Sequence, residues 1–308
     1  MDTFANGHGW GHGWGSGGGG STGGIVQLGS FEDLPTVAVP PAVPLQGAGD
    51  ARAFNELDVH PDLWASLHAG DVARASGLMQ GSGTGDGNAL EAALGKRLAH
   101  GNKLLGIPTG GASQDDISNE LTARTDRVNL RSRGGEIAAQ SGSFQQFYFQ
   151  MLNLNPKEHP TTIRLISLAY ATAGIVGLSY KLHYMRPRPS HVFPGFNPVL
   201  PNPPHPSFPS NHATQAHTVS RLLKKIIETV PPKKKGESAS IVPNGLSEHL
   251  VMLAERIAEN REIAGVHFNS DTLAGEDIAE QLVEKIYDHS VIAGMLDECR
   301  AELARFLS

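Results

Sequence analysis

Two clusters of polar residues in the middle of the chain have types and spacings that suit binding of a negatively charged group. Lys181 and Arg188 lie seven positions apart at the end of a long apolar run. Ser210, Asn211 and His212 stand where a proline-rich loop should turn into a helix. Cationic side chains bind oxyanions directly, and the free N–H groups at a helix start favour them as well. This segment therefore predicts a pocket for a tetrahedral oxyanion.

A third cluster, later in the chain, contains Arg261, His267 and Asp271. Arg261 precedes His267 by six positions, and Asp271 follows it by four. On a helix, these offsets bring a cation, an imidazole and a carboxylate to roughly one side. A carboxylate beside an imidazole can orient it and select its tautomer. Alone, such a triplet is also typical of an exposed helix surface.

The elements that must position these clusters are predicted to be helices. Pro160 to Tyr184 has the composition of a buried helix, with Lys181 in its last turn, where the helix dipole favours a cation. Residues 185–209 contain nine prolines and should be a stiff, extended segment. Further helices are predicted over residues 212–230, 247–268 and 272–306. Because no stretch alternates between apolar and polar residues, the predicted fold is all-α, a helical bundle.

The composition limits which binding partners and which cellular location are expected. The 308 residues carry a formal net charge of −6, which argues against nucleic acid or an anionic membrane as the main partner. The longest uncharged apolar run, Leu165 to Tyr180, is shorter than the roughly 20 residues that a spanning helix needs. The single cysteine fits a reducing compartment, and the N-terminus lacks the pattern of a secretory signal. The sequence therefore predicts a protein with no membrane span and a cytoplasmic location.

Low complexity divides the chain into two parts. Residues 1–50 are rich first in glycine and then in proline, and we expect a flexible arm. His8, Trp10, His12 and Trp14 alternate with glycine there, which is a weak metal-binding pattern; a tail, or an arm that docks on a neighbouring subunit, is the simpler interpretation. Residues 51–308 are predicted to form one helical catalytic domain with its motifs within 160–275. We expect a homo-oligomer.

The three clusters together resemble the three-part signature of the type 2 phosphatidic acid phosphatase (PAP2) and vanadium-dependent haloperoxidase superfamily, in a soluble, bacterial-type form. The matching motifs are Lys181-x6-Arg188-Pro189, Pro209-Ser210-Asn211-His212 and Arg261-x5-His267-x3-Asp271. Two positions depart from the family's pattern. Asn211 stands where the family usually has glycine, and Asn260 where it usually has serine. Neither change removes a charged residue.

The resemblance implies how the site holds its anion. Lys181, Arg188 and Arg261 would neutralise the equatorial oxygens of phosphate or vanadate. The Ser210 hydroxyl and the backbone N–H of Asn211 would add neutral donors at a helix start.

The resemblance also implies the chemistry. His267 would be the nucleophile that forms a phosphohistidine, Asp271 would orient it, and His212 would be the acid–base group that protonates the leaving alkoxide. No cofactor or divalent metal is needed in that reaction. The predicted function is a soluble, acid-phosphatase-like phosphomonoesterase acting on a small phosphoester.

Two alternatives remain open at the level of sequence. The first is a vanadate-dependent haloperoxidase that oxidises bromide or chloride with hydrogen peroxide. His267 would then be the vanadium ligand. His205 resembles a histidine of the seaweed bromoperoxidases in position and would act on the halide. The competing interpretation of His205 is a structural histidine, fixed among prolines at the pocket rim. The second is a non-catalytic assembly or binding protein.

The role of Arg186 is also open. It is either a further cation or substrate clamp of the site, or a surface residue.

Overall fold

The computed structural model describes residues 60–104, 127–192, 197–230 and 245–306. Throughout these ranges the regular structure is helical and contains no strand. The predicted all-α fold is therefore confirmed. The predicted arm at 1–50 and the first residues of the predicted domain lie outside the described residues, so the domain division stays a prediction.

Helices make up most of the described part of the chain. The first half contributes α1 (Pro61–Ala75), α2 (Gly85–Leu104), α3 (Arg127–Ala139) and α4 (Gln145–Met151). The half that carries the motifs contributes α5 (Pro160–Tyr184), the one-turn α6 (Pro189–Val192), α7 (Asn211–Ile227), α8 (Leu246–Ile263), α9 (Asn269–Tyr287) and α10 (Ser290–Phe306).

The single helix predicted over 272–306 is wrong, because the chain breaks between α9 and α10. Asp288 caps α9, and the amide of His289 bonds the carbonyl of Ile286 over 3.1 Å, a tightened last turn. The imidazole Nδ1 of His289 then accepts from the amide of Val291 at 3.3 Å. A side chain that satisfies a nearby backbone amide competes with the helical pattern, and this ends one helix and starts the next.

Helix α5 forms the centre of the core and ends at the first motif. Its start is capped by a carboxylate from α10: the Glu302 oxygens accept from the amides of Thr161 at 3.0 Å and Thr162 at 2.8 Å. A negative charge at a helix N-terminus offsets the dipole and satisfies free amides. At the other end Met185 adopts a left-handed conformation (φ 49°), and its amide bonds the carbonyl of Lys181. The helix thus places the fully buried Lys181 in its last turn.

Helix α7 packs against α5, α8 and α9 and brings the second and third motifs together. Its first turn lies close to α9 at Gly275, where a Cβ would be 2.8 Å from both the Ala213 Cβ and the Ser210 carbonyl oxygen. Just before that contact, the amide of Ser210 donates to the carbonyl of Asp271 at 2.9 Å. The start of α7 is therefore held directly on the first turn of α9.

Within the described ranges, one segment is long and apolar enough to cross a membrane by length and composition. It spans Pro160–Val192, and its most apolar window has a mean hydropathy of 1.4. Within the protein, 89% of that window is buried, as expected for the central helix of a bundle. The absence of a membrane span and the cytoplasmic location both stay predictions.

Candidate active site

A narrow pocket lies between the start of α7, the turn joining α8 to α9, and the proline-rich segment that precedes α7. The pocket is lined by Ser141, Leu200, Pro201, Pro203, His205, Asn211, His212, Arg261, Val266 and His267. Five of these ten are candidate site residues from the sequence: His205, Asn211, His212, Arg261 and His267. The other candidates, Lys181, Arg188, Ser210 and Asp271, are buried but do not line the pocket.

The two cations of the first motif are bound by backbone carbonyls. Lys181 Nζ donates to the carbonyls of Pro206 at 2.8 Å and Ser207 at 2.9 Å. Arg188 donates to the carbonyls of Val266 at 2.6 Å and His205 at 3.0 Å. Burial, and then the charge of Arg188, lower the pKa of Lys181 well below its ordinary value, and burial lowers the pKa of Arg188 to about 10.

Carbonyl dipoles orient these two side chains without placing a negative charge beside them. A carboxylate partner would neutralise the positive field, whereas a neutral acceptor leaves it available to an anion.

Arg261 is the predicted cation that reaches the pocket wall. Its Nη2 donates to the carbonyl of Ile137, at the end of α3, over 2.8 Å. Its Nε is buried and has no hydrogen-bond partner among the described residues. Burial lowers its pKa to about 10, so the guanidinium stays charged at neutral pH. An unused N–H on a charged group beside a pocket is suited to an incoming oxyanion.

His267 and Asp271 form a buried pair at the base of the pocket. The His267 Nδ1 lies 3.0 Å from the Asp271 Oδ2, which also accepts from the backbone amide of Phe268 at 3.0 Å and from the hydroxyl of Ser207. Burial alone would raise the pKa of Asp271, but the charge of Arg186 and the bond to His267 outweigh it and hold that pKa well below its usual range. The carboxylate is therefore ionised.

An ionised Asp271 decides the tautomer of His267. Burial lowers the pKa of His267 to about 3, against the opposing bond to Asp271, so the free protein carries a neutral imidazole. Because the carboxylate can only accept, the single ring proton is on Nδ1. The Nε2 lone pair is then free, as a nucleophile or a ligand requires.

His212 is positioned from the opposite side of the pocket. Its Nε2 lies 3.0 Å from the carbonyl of Gln140, and its ring packs 5.3 Å from that of Phe144. Burial, and then the charge of Arg261, lower its pKa well below the ordinary value. A carbonyl only accepts, so Nε2 carries the proton and Nδ1 is the atom that can take up or hand on another.

Residues 163–282, which contain all three motifs, match the family model of the PAP2 superfamily. By this match, residues 163–282 form a PAP2-superfamily region. No curated protein matches the chain significantly. Among solved structures, the chain is similar to the crystal structure of the first transmembrane PAP2-type phosphatidylglycerolphosphate phosphatase from Bacillus subtilis. That likeness has a TM-score of 0.36 and 16% sequence identity, and it covers 78% of this chain and 98% of that chain.

Asn211, at the position where the PAP2 pattern usually has glycine, fits because α5 provides the space. It is the first residue of α7, directly after the N-cap Ser210, whose hydroxyl accepts from the amide of Ala213 at 3.4 Å. The Asn211 amide group donates to the carbonyl of Gly174 at 3.4 Å, and a Cβ on Gly177 would overlap its Oδ1. The two residues are therefore a matched pair across the α5–α7 contact.

Substitutions at Gly177 and Asn211 give a first prediction, which concerns stability. Gly177→Ala should lower the free energy of unfolding by about 1–3 kcal/mol, because the added methyl overlaps a buried side chain. Asn211→Gly combined with Gly177→Ala should recover most of that loss, and chemical denaturation of the four proteins in the cycle measures the coupling. Equal losses in the single and double variants would contradict the pairing.

The end of α3 is a part of this PAP2 site that sequence reasoning missed. The carbonyls of Ile137 and Gln140 hold Arg261 and His212, and neither residue falls in a motif. Asn260 fixes this helix end, since its amide donates to the Gln140 side chain at 2.8 Å and to Glu136 at 2.8 Å. Backbone acceptors leave no side-chain signal, so the departure from serine at Asn260 was the only available clue.

His205 lines the pocket from the proline-rich segment. Its Nδ1 lies 3.2 Å from the Arg188 Nη2, and the guanidinium must be the donor. Its Nδ1 also lies 3.2 Å from the carbonyl oxygen of Pro206, so the two contacts favour different tautomers of the ring. The Nε2 is buried without a hydrogen-bond partner in the described part of the chain. His205 is thus a pocket residue with one unused ring nitrogen.

Proposed function

We propose that this protein hydrolyses phosphate monoesters through a phosphohistidine intermediate. The observation that carries the proposal is the His267–Asp271 pair, which presents a neutral imidazole to the pocket. Within the described residues, the three motif cations near it are hydrogen-bonded to backbone carbonyls and not to carboxylates. The match of residues 163–282 to the PAP2 superfamily supports a phosphatase-type activity.

In the first step, the ester phosphate enters beside Arg261 with Lys181 and Arg188 behind the wall. The His267 Nε2 attacks phosphorus, the bond to the ester oxygen breaks, and His212 gives the leaving alkoxide a proton. The approaching dianion offsets the charge of Arg261 and raises the pKa of His212, so His212 is protonated when it is needed. Positioning and charge stabilisation supply most of the rate enhancement in such a transfer.

In the second step, water displaces the imidazole from phosphorus. His212, now neutral, accepts a proton from the water as its oxygen attacks, and the phosphorus–nitrogen bond breaks to release inorganic phosphate. The bond between the His267 Nδ1–H and Asp271 persists through both steps and stabilises the positive charge on the phosphorylated ring.

Vanadate-dependent halide oxidation is a second candidate, favoured by the unused ring nitrogen of His205 at the pocket wall. The residues present fit orthovanadate because it shares charge and shape with phosphate, and His267 offers a free Nε2 as its ligand. Lys181, Arg188 and Arg261 would compensate its charge. Bound vanadate would supply activation of hydrogen peroxide for attack by bromide or chloride.

One set of assays separates the two candidates. The purified protein is incubated with p-nitrophenyl phosphate, and separately with bromide, hydrogen peroxide and a halogen acceptor, each with and without orthovanadate. We expect ester hydrolysis that orthovanadate inhibits. Bromination that requires orthovanadate, without ester hydrolysis, would replace the proposal with the second candidate. Absence of both activities would reject both.

A further inference from the structure

Arg186 lies behind the site as a buried partner of its carboxylate. It follows Met185 at the end of α5, and its side chain is 1% exposed. Its Nη1 donates to the Asp271 Oδ1 at 2.6 Å and to the Ser270 hydroxyl at 2.7 Å. Its guanidinium stacks 4.3 Å from the centre of the Phe268 ring. The interpretation of Arg186 as a surface residue is therefore wrong, because an ion pair and an aromatic face fix it in the interior.

The two oxygens of Asp271 have separate tasks. Oδ1 bonds Arg186, whereas Oδ2 bonds His267, the backbone of Phe268 and the hydroxyl of Ser207. The carboxylate is fully buried, and an ion of that kind keeps its charge and its orientation only with a close, well-aligned partner. Arg186 is the only cation among the described residues that forms an ion pair with it.

We propose that Arg186 is a positioning residue that acts on the nucleophile through Asp271, by holding the carboxylate so that its Oδ2 fixes the Nδ1–H tautomer of His267. The inference rests on the proposed function, since it gives the His267 nucleophile its orientation. It assigns a task to one of the six unspecified positions between Lys181 and Arg188 in the first motif.

The position of Arg186 excludes the other interpretation, a clamp on the substrate. Arg186 does not line the pocket. The space on its far side is closed by α2, where a Cβ on Gly101 would lie 3.1 Å from the Arg186 Nη2 and 2.5 Å from the Ser270 hydroxyl. A bound phosphoester would therefore reach Arg261 and His267, while Arg186 stays behind the carboxylate.

The test compares Arg186→Met with the wild-type protein in two measurements. Nitrogen-15 NMR of histidine-labelled, substrate-free protein reports the tautomer of His267, whose signals are identified by their loss in His267→Ala. We expect the Nδ1–H tautomer in the wild type and a mixture with the Nε2–H form in the variant. Turnover of p-nitrophenyl phosphate should fall about 10- to 100-fold in kcat with little change in KM. An unchanged tautomer, or a loss confined to KM, would overturn the inference.

Two further variants separate positioning from stability. Arg97→Met removes another arginine–aspartate pair on α9, with Asp277 at 2.6 and 2.8 Å, and should change neither the tautomer nor kcat. Arg186→Lys keeps the charge, should keep the Nδ1–H tautomer and should restore part of kcat. If Arg186→Met does not fold, Arg186→Lys becomes the test of the proposal. A positioning role predicts that its kcat is lower than that of the wild type at constant KM. An unchanged kcat would overturn the proposal.

The tautomer is measured without substrate, so its outcome does not depend on the reaction. Failure of the wild-type protein to hydrolyse any ester would reject the proposed function while leaving this measurement able to support or overturn the role of Arg186.

Discussion

Replacement of His267 by alanine should lower turnover of p-nitrophenyl phosphate by about a thousandfold or more, because the proposed mechanism forms the phosphorus–nitrogen bond at its Nε2. The fold should persist, since Asp271 keeps its bonds to Arg186, Phe268 and Ser207 when the imidazole is removed. Steady-state kinetics measures the loss, and circular dichroism checks that the helices remain. Protein denatured in alkaline detergent, which preserves the acid-labile phosphorus–nitrogen bond, should also lose any phosphohistidine that the wild type accumulates.

The matched control is His205→Ala. This histidine also lines the pocket, but the phosphatase mechanism gives it no bond to make or break, so the variant should lose less than about tenfold in kcat/KM. Comparable losses in the two variants would contradict the assignment of His267 as nucleophile.

Gly275→Ala should be the most damaging single methyl addition in the described helices around the site. The new Cβ would meet the Ser210 carbonyl oxygen at 2.8 Å and the backbone nitrogen of Thr214 at 2.9 Å, and backbone atoms cannot turn away as a side chain can. Relief requires α9 to move from the start of α7, which separates Asp271 from Ser210 and His212. We expect about 1–3 kcal/mol lower stability, and roughly 100-fold lower kcat/KM because displacements near 1 Å cost that much.

Gly294→Ala is a control that should change the stability in the opposite direction. Gly294 lies on the exposed side of α10, and a Cβ there would have no atom within 4 Å. Alanine in a helix interior is favoured over glycine by about 1 kcal/mol, so this variant should be stabilised and fully active. Thermal unfolding of both variants gives the comparison, and equal behaviour would show that the contact at Gly275 yields more easily than its geometry implies.

The sequence predicted the helices that carry the site because their signals are local. Pro160 to Tyr184 reads as a buried helix from its composition, and the structure gives the same bounds. The three motifs indicated which cations and imidazoles come together, because charged side chains at fixed spacings are visible in a single chain. Whether these residues perform the predicted steps stays a matter for the experiments above.

The features that escaped prediction depend on contacts between distant backbones. The carbonyls of Ile137 and Gln140 exist in every residue, so nothing in their side chains marks them as partners of Arg261 and His212. The burial of Arg186 follows from how α9 packs behind it, which no spacing reveals. The break after α9 rests on one imidazole that accepts from a nearby amide, a choice that helix propensity does not encode.

Neutral partners for the buried cations imply that folding of this protein is coupled to the anions in solution. Lys181, Arg188 and Arg261 are held by carbonyls. The carboxylate whose charge acts on Lys181 and Arg188, Asp271, is ion-paired with Arg186. An oxyanion bound among them would remove mutual repulsion that the folded chain otherwise bears. By mass action, a ligand present at a hundred times its Kd adds about 2.7 kcal/mol to stability. Phosphate in a purification buffer would then act as a stabilising ligand and a competitor of the substrate at the same time.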